Sequence, residues 1–503
     1  MQEADRRAIN EAGIPGLTLM ENAGSGCASL IHERYNAPTS KKAVVIAGKG
    51  NNGGDGYVIA RLLQHRGWHV TTFVLADRSE INGDALSNLE RLPPDDVRFC
   101  PLGIAPHAGE LAEATTIVDA IFGTGLTREI TGPAAETINI INAAGRPVVA
   151  VDIPSGIHGT TGRLLGTAIR ADLTVTFGGV KSGHVQHPGI EYTGELKVIE
   201  IGIPPTILAE IPGYEYVNDT VARGLIRPRG RTAHKGSCGH VLIVAGSRGK
   251  TGAAAMSANS AIRCGSGLVT LAAPATLNDI LEVKTTEAMT VPLDDAGRGY
   301  LSSLALPGIQ AVLPGKNAVA LGPGLSRNAE TAALICTVLK EINLPAVLDA
   351  DAINAVAQQP ESLRTGTAHP IILTPHPGEM SRLMGIPVAR IEADRIAAAR
   401  DTAAHFGVFI ILKGAGTICA APDGRVSING SGNPGMASGG MGDVLTGILV
   451  SLVGQGYQPF EACMLAVYLH GYAADLVAAD KGEIGINATD VQERLPYAYK
   501  ALQ

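Results

Sequence analysis

Aromatic side chains are scarce in this chain: they make up 4 % of 503 residues, with a single tryptophan. Its cores must therefore be built from Ala, Val, Ile and Leu, and the 45 % apolar content supplies them in full. Cysteines number seven, an odd count, with none in a CxxC pair. That argues against a disulfide framework or a cysteine zinc site and fits a reducing compartment. No run of about 18 apolar residues is present, so no membrane span is expected. The start, MQEADRRAIN, is charged and lacks an apolar h-region, so a cytoplasmic protein is expected. There is no GxxxxGK[ST] motif, which excludes a P-loop nucleotidase. Neither sign of charge dominates: the net charge is −7 with acids and bases interspersed. That argues against a nucleic-acid surface and for small-molecule work.

What is abundant is glycine, 62 residues without a collagen-like period. The length equals about three domains of roughly 150 residues, though α/β domains often run larger. Short β-branched runs alternate with Ala-rich helical patterns. In the first half they are AVVIAG (43–48), VTTFVLA (70–76), TTIVDA (115–120), PVVAVD (147–152), LTVTFG (173–178) and LKVIEIG (196–202). In the second half they are HVLIVAG (240–246), GLVTLAAP (267–274), AVALGPG (318–324), AVLDADA (346–352), PIILTPH (370–376) and VFIILKG (408–414). These read as buried strands with helices between them, the mark of a mostly parallel sheet. The polar, Gly/Pro/Arg-rich stretch 212–239 reads as a linker and lead-in. The expectation is two α/β domains, 1–212 and 213–503, each an α/β/α sandwich.

Both halves place their unusual residues just after strands, where ligands of an open parallel sheet bind. In the first half, GKGNNGGDG (48–56) follows one strand, IFGTGLTRE follows Asp119, and IPSG follows Asp152. A strand-end Asp is commonly only a helix cap. Three such loops on one sheet edge point to a pocket. Gly48, Gly50 and Gly53 also match GxGxxG, and Asp77 sits near where a ribose-binding acid would lie, so a conventional dinucleotide-binding domain is an alternative. The crowding of Asn51, Asn52 and Asp55 into that turn is more than a pyrophosphate turn needs. Oxygens of Asn52, Asp119 and Ser155 can together hold a hard monovalent cation.

In the second half, TPHPGE (374–379) and KGAGT (413–417) each follow a strand, and NPGMASGGMGDVLTG (433–447) leads into a helical stretch. The plain reading of GGMGD is a tight turn with Asp443 as a helix cap. However, bare backbone amides at a helix start make an anion site, and a carboxylate there repels phosphate unless it does chemistry. That pairing suits a base that deprotonates a hydroxyl for attack on phosphorus. The glycines then hold the transferring phosphate, and Asp443 is the base.

GGMGD with KGAGT upstream resembles the ribokinase-like superfamily. Together with HKG (234–236), GPGL (322–325), LDADA (348–352) and TPHPGE it resembles, more narrowly, the nucleotide-dependent NAD(P)H-hydrate dehydratases. The first half, with MENAG (20–24), GKGNNGGDG, DAIFGTGL (119–126) and VDIPSG (151–156), resembles the NAD(P)H-hydrate epimerases. The whole is similar to the fused, bifunctional repair enzymes of bacteria. The resemblance implies a Rossmann-like domain followed by a ribokinase-like one. It also implies that the R and S hydrates of NADH and NADPH are interconverted, and that the S form is then dehydrated at the expense of ADP. Carried over residue by residue, the hydrate would be held in the first domain by Asn51, Asn52, Gly53, Gly54 and Asp55, by Gly123, Thr124, Gly125, Leu126, Thr127, Arg128 and Glu129, and by Asp152. Asp152 would also act in catalysis. Potassium would bind Asn52, Asp119 and Ser155. In the second domain Ala253, Gly324, His376 and the catalytic Asp443 would hold the hydrate. Lys413, Gly414, Ala415, Gly416, Thr417 and Gly442 would hold the adenine nucleotide, with Mg2+. The partners implied are the NADH and NADPH hydrates and ADP, with no nucleic acid or membrane; a homo-oligomer is expected.

The chain departs from the family pattern at 252–254, Gly-Ala-Ala where Gly-Ala-Pro is expected, and its start enters directly into the family's first helix, which implies that a few residues are missing there. Two other readings stand beside the repair enzyme. A small-alcohol kinase would share the ribokinase-like logic but leave a stable phosphate ester. A non-catalytic nucleotide sensor would not need Asp443.

Overall fold

The computed structural model describes residues 1–36, 41–100, 108–363 and 369–503. They form two compact units, Met1–Gly213 and Tyr214–Gln503.

The first unit carries seven parallel strands: β1 (Lys42–Ala47), β2 (His69–Val74), β3 (Val97–Phe99), β4 (Thr116–Ala120), β5 (Val148–Val151), β6 (Leu173–Phe177) and β7 (Glu195–Ile199). Their order is β3-β2-β1-β4-β5-β6-β7. Strand order reverses between β1 and β4, the switch point at which α/β sheets bind ligands. Alternation decides the layering. Ala43, Val45 and Ala47 pack under the helices Gly16–Tyr35 and Asn51–His65, while Val44 and Ile46 pack on the opposite side against Ile138 and Ile141 of the helix Gly132–Ala143. Both faces are covered, so the strands read as continuous apolar runs.

The second unit carries β8 (Glu215–Val217), β9 (His240–Val244), β10 (Leu268–Pro274), β11 (Met289–Leu293), β12 (Ala318–Leu321), β13 (Ala346–Leu348), β14 (Ile371–Leu373), β15 (Phe409–Leu412), β16 (Ile418–Ala420) and β17 (Val426–Asn429). The order is β11-β10-β9-β12-β13-β14-β15-β16-β17-β8, with β16 antiparallel to both neighbours and the rest parallel. Every run expected as a strand is one. Added to them are β3, β8, β11, β16 and β17, which are three to five residues long. β8 lies inside the stretch read as linker. It pairs with β17 and buries Val217 completely, so that stretch belongs in part to the second sheet. One helix, Pro459–Lys481, is long and apolar enough by length and composition to cross a membrane, although charged residues interrupt its apolar run. Its apolar window is 72 % buried, and Leu465, Ala466, Leu469 and Ala473 lie in the core of the second unit.

Candidate active sites

In the first unit the loops after β1, β4 and β5 meet in one cavity of about 570 Å³. Asn51, Asn52, Asp55, Gly123, Thr124, Gly125, Leu126, Thr127, Arg128 and Asp152 all line it. Gly53, Gly54 and Glu129 do not. Gly53 is needed for packing instead: a Cβ there would lie 1.9 Å from the Gly48 carbonyl oxygen. Gly48 is likewise pressed on β4, where a Cβ would meet the Ile121 oxygen at 2.1 Å. Of the GxGxxG glycines, Gly48 lets the loop lie against the end of β4 and Gly53 lets the helix start pack on Gly48, while a Cβ on Gly50 would meet nothing within 4 Å. Asp77 is outside the cavity and forms a capping box with Glu80, which removes the ribose-binding acid of the conventional reading.

Asp119 is fully buried at the end of β4. Its carboxylate accepts from the Ser155 hydroxyl at 2.6 Å, the Ser155 amide at 2.8 Å and the Ile121 amide at 3.3 Å. Burial nevertheless pushes its pKa up to about 6. Nearby, Asn52 is buried with neither its amide oxygen nor its amide nitrogen hydrogen-bonded to a described residue. Gly123 abuts that side chain, since a Cβ there would sit 3.4 Å from its Oδ1. An orphaned amide oxygen, a desolvated carboxylate and a hydroxyl form a donor set of hard oxygens that fits a monovalent cation.

Two residues of this cavity were not singled out in the sequence. Lys181, after β6, is 8 % exposed, and its ammonium donates to Asp152 Oδ1 at 2.5 Å, Thr176 Oγ1 at 2.7 Å and the Phe177 carbonyl at 3.0 Å. Asp152 itself has φ +66°, a left-handed backbone that an L-residue adopts at a cost and that recurs at functional sites. Asp5 comes from the first helix, Gln2–Asn10. Burial, opposed by Lys181, raises its pKa, while burial together with Asp152 and Asp5 holds that of Asp55 well above the carboxylate range. Lys181 was findable as one more polar residue after a strand. Asp5 was not, because only tertiary packing brings its helix there.

In the second unit the loops after β9, β12, β13, β14 and β15 converge on the start of the helix Met441–Gly454. That helix is capped by Gly440, at φ +93°, and Asp443 is its third residue, making no cap hydrogen bond. The amides of Met441, Gly442 and Asp443 have no intrahelical acceptor by position. Lys413 Nζ donates to Asp349 Oδ1 at 2.9 Å and lies 3.8 Å from Glu379. Burial works against its charge, but Asp349 and Glu379 outweigh it and raise its pKa. A Cβ on Gly442 would lie 3.3 Å from Lys413 Nζ and 3.8 Å from Asp349 Oδ2, so the glycine turn and the lysine face each other closely. His376 caps the helix Pro377–Met384, and its Nε2 is 3.4 Å from Glu379 Oε1. Gly324 packs on Ala253, where a Cβ would come within 3.1 Å, next to Lys250, which pairs with Asp351 at 2.9 Å. Asp443 is set by part of this cluster: burial first, then Asp349, push its pKa up to about 7 against the pull of Lys413. Ala253, Gly324, His376, Lys413, Gly442 and Asp443 are thus joined through Asp349, Asp351 and Glu379, which sequence reading had only inside quoted motifs, and through Lys250, which it did not single out. The HKG stretch is elsewhere, in the turn Lys235–Cys238 before β9, at the opposite end of the strand.

Comparison with known proteins matches these two constellations separately. A family model described as NAD(P)H-hydrate dehydratase covers residues 241–497, and one described as YjeF-related protein N-terminus covers residues 16–183. The bifunctional NAD(P)H-hydrate repair enzyme of Moorella thermoacetica is 43 % identical over 100 % of this chain and 96 % of its own. The chain belongs to the family of bifunctional NAD(P)H-hydrate repair enzymes. The member from Thermofilum pendens is 39 % identical over 99 % of this chain and 95 % of its own. Among solved structures, the ADP/ATP-dependent NAD(P)H-hydrate dehydratase of Bacillus subtilis, co-crystallized with ATP/Mg2+, is 29 % identical. It covers 58 % of this chain and 100 % of its own, with a TM-score of 0.51. Family membership matches a chain with two clefts of different chemistry, one lined with carboxylates and one built around a helix start.

Proposed function

We propose that residues 1–212 carry the epimerase and residues 213–503 the dehydratase, and that the two act in sequence on the C6-hydroxylated hydrates of NADH and NADPH. In the first unit the loops 51–55 and 123–129 with Asp152 hold the hydrate, and Asp152, oriented by Lys181 and Thr176, serves proton transfer at the C6 hydroxyl. Asn52, Asp119 and Ser155 hold potassium, whose charge supplies the counter-ion that the buried carboxylate lacks. This reading rests on the orphaned Asn52 amide beside Asp119.

In the second unit Ala253, Gly324, His376 and Asp443 hold the S hydrate, and Lys413–Thr417 with Gly442 hold ADP. Asp443 takes the proton of the C6 hydroxyl while that oxygen attacks the terminal phosphorus, and AMP departs. The C6–O bond then breaks with loss of a proton from C5, leaving phosphate and the restored dihydronicotinamide. The carrying observation is a single carboxylate held near neutral pKa at a helix start that faces Lys413. Among the described residues no group of three His, Cys, Asp or Glu side chains can hold a metal. Mg2+ would be carried chiefly by the nucleotide phosphates. The protein works in the cytoplasm as a homo-oligomer. The test is to add ADP and the protein to hydrated NADH and follow the near-ultraviolet absorbance of the dihydronicotinamide. Regained absorbance with AMP and phosphate supports repair; a stable phosphoester would make the second unit a small-alcohol kinase.

A further inference from the structure

Under the loop Lys413–Thr417 lies a buried cation that neither reaction uses. Arg395 opens the helix Arg395–Phe406 with its side chain only 11 % exposed. Its Nη1 donates to the Ala415 carbonyl at 2.5 Å, and its Nη2 donates to the carbonyls of Leu412 and Lys413, each at 3.2 Å. No carboxylate among the described residues accepts a hydrogen bond from it. Glu392 comes within 3.9 Å of Nε, and Nε is buried without a hydrogen-bond partner. Burial accordingly pulls the pKa of the guanidinium down.

The loop is shaped around this side chain. Gly414 has φ +145°, and a Cβ there would meet Arg395 Nη2 at 2.7 Å. A glycine is needed both for the backbone angle and for the close approach of the guanidinium. Three carbonyls gathered by one planar fork is an arrangement that lysine, a point donor on a flexible stem, does not reproduce. The consequence for Lys413 is that it is fixed at both ends: Arg395 holds its main chain, and Asp349 and Glu379 hold its ammonium.

We infer that Arg395 is the positioning residue of the nucleotide site: its guanidinium clamps the backs of residues 412–415, so that the loop and Lys413 present a pre-organised face to the anionic phosphates of ADP. It touches no reacting atom, and among the described residues the carboxylate that pairs with its charge beneath the loop is Glu392, 3.9 Å away. The inference rests on the assignment of Lys413–Thr417 to the nucleotide.

The test compares Arg395→Met and Arg395→Lys with the wild-type full chain, by ADP-dependent dehydration of the S hydrate and by calorimetric ADP binding. Arg395→Met is expected to raise both KM for ADP and Kd about tenfold or more, the scale of losing hydrogen bonds made by a charged group. Arg395→Lys keeps the charge without the fork and is expected to fall between. The kcat should stay within about threefold, because Asp443 is untouched, and the epimerisation rate should not change. A purely structural arginine would lower the folded fraction and the melting temperature while leaving KM and Kd of the folded protein alone; that result overturns the inference. Should Arg395→Met not fold, Arg395→Lys decides on the same criterion, raised KM and Kd supporting it and unchanged values overturning it. Wild-type protein that binds no ADP, or binds it unaltered by Lys413→Ala, would remove the nucleotide assignment itself and the inference with it.

Discussion

Replacing Asp443 by Asn removes a proton acceptor while keeping the volume. The change does not cost a helix cap, because Gly440 is the cap residue and the Asp443 side chain makes no cap bond. Any loss is therefore chemical. Burial and Asp349 place the Asp443 pKa at about 7, up from 3.8, where a base combines a usable ionised fraction with real proton affinity. Removing such a base costs roughly 10²–10⁴-fold in rate, or about 3–5 kcal/mol in the barrier. ADP affinity should hold or improve, since a negative charge beside the phosphates is gone. The assay is ADP-dependent regain of dihydronicotinamide absorbance from the S hydrate, with ADP binding measured separately. Because the base must be ionised, kcat/KM of the wild type should rise with pH through about 7 and level off above it. The Asn variant should lose that limb. Dehydration by Asp443→Asn within a few-fold of wild type, or a retained limb, would refute the reasoning.

Four perturbations of the first unit follow from its geometry. Lys181→Met takes away the ammonium that orients Asp152, so epimerisation should fall by about 10²-fold, the low end for a proton-transfer group acting through a partner. Lys181→Arg should keep part of it, and dehydration of pure S hydrate should be untouched; an unchanged R-to-S rate would reject the role. Potassium in place of tetramethylammonium should raise the thermal stability of the first unit, by about 2.7 kcal/mol at a concentration a hundred times Kd. Asn52→Ala should lose that increment, and equal melting of wild type in both salts would dismiss the ion.

The architecture was legible because parallel strands covered on both faces leave uninterrupted apolar runs, and ligand loops follow them directly. The strands that escaped are short edge or hairpin pieces. β11 carries Pro292 and is half exposed, and β16 and β17 owe their pairing to each other more than to any run of their own. One core helix meets a span's length and composition criteria without being an unbroken apolar run. A core helix of a large α/β unit is apolar all round, so Pro459–Lys481 meets the criteria for a span by length and composition while lying inside the core. The clefts were legible where a loop carried several polar residues, as at 51–55 and 123–128. They were not where one charged side chain arrives from a distant helix, as with Asp5, or acts from beneath a loop, as with Arg395. Gly53 shows the limit in the other direction: a motif glycine next to ligand-binding residues serves backbone packing on Gly48.

The division of labour between the two clefts is tested most directly by the final absorbance reached from a freshly prepared mixture of R and S hydrates, with ADP in excess and reaction times short against spontaneous epimerisation. Wild-type protein should restore all of the dihydronicotinamide. Asp152→Asn should stop at the S fraction, and Asp443→Asn should restore almost none. Complete restoration by Asp152→Asn, or a partial plateau with wild type, would contradict the account.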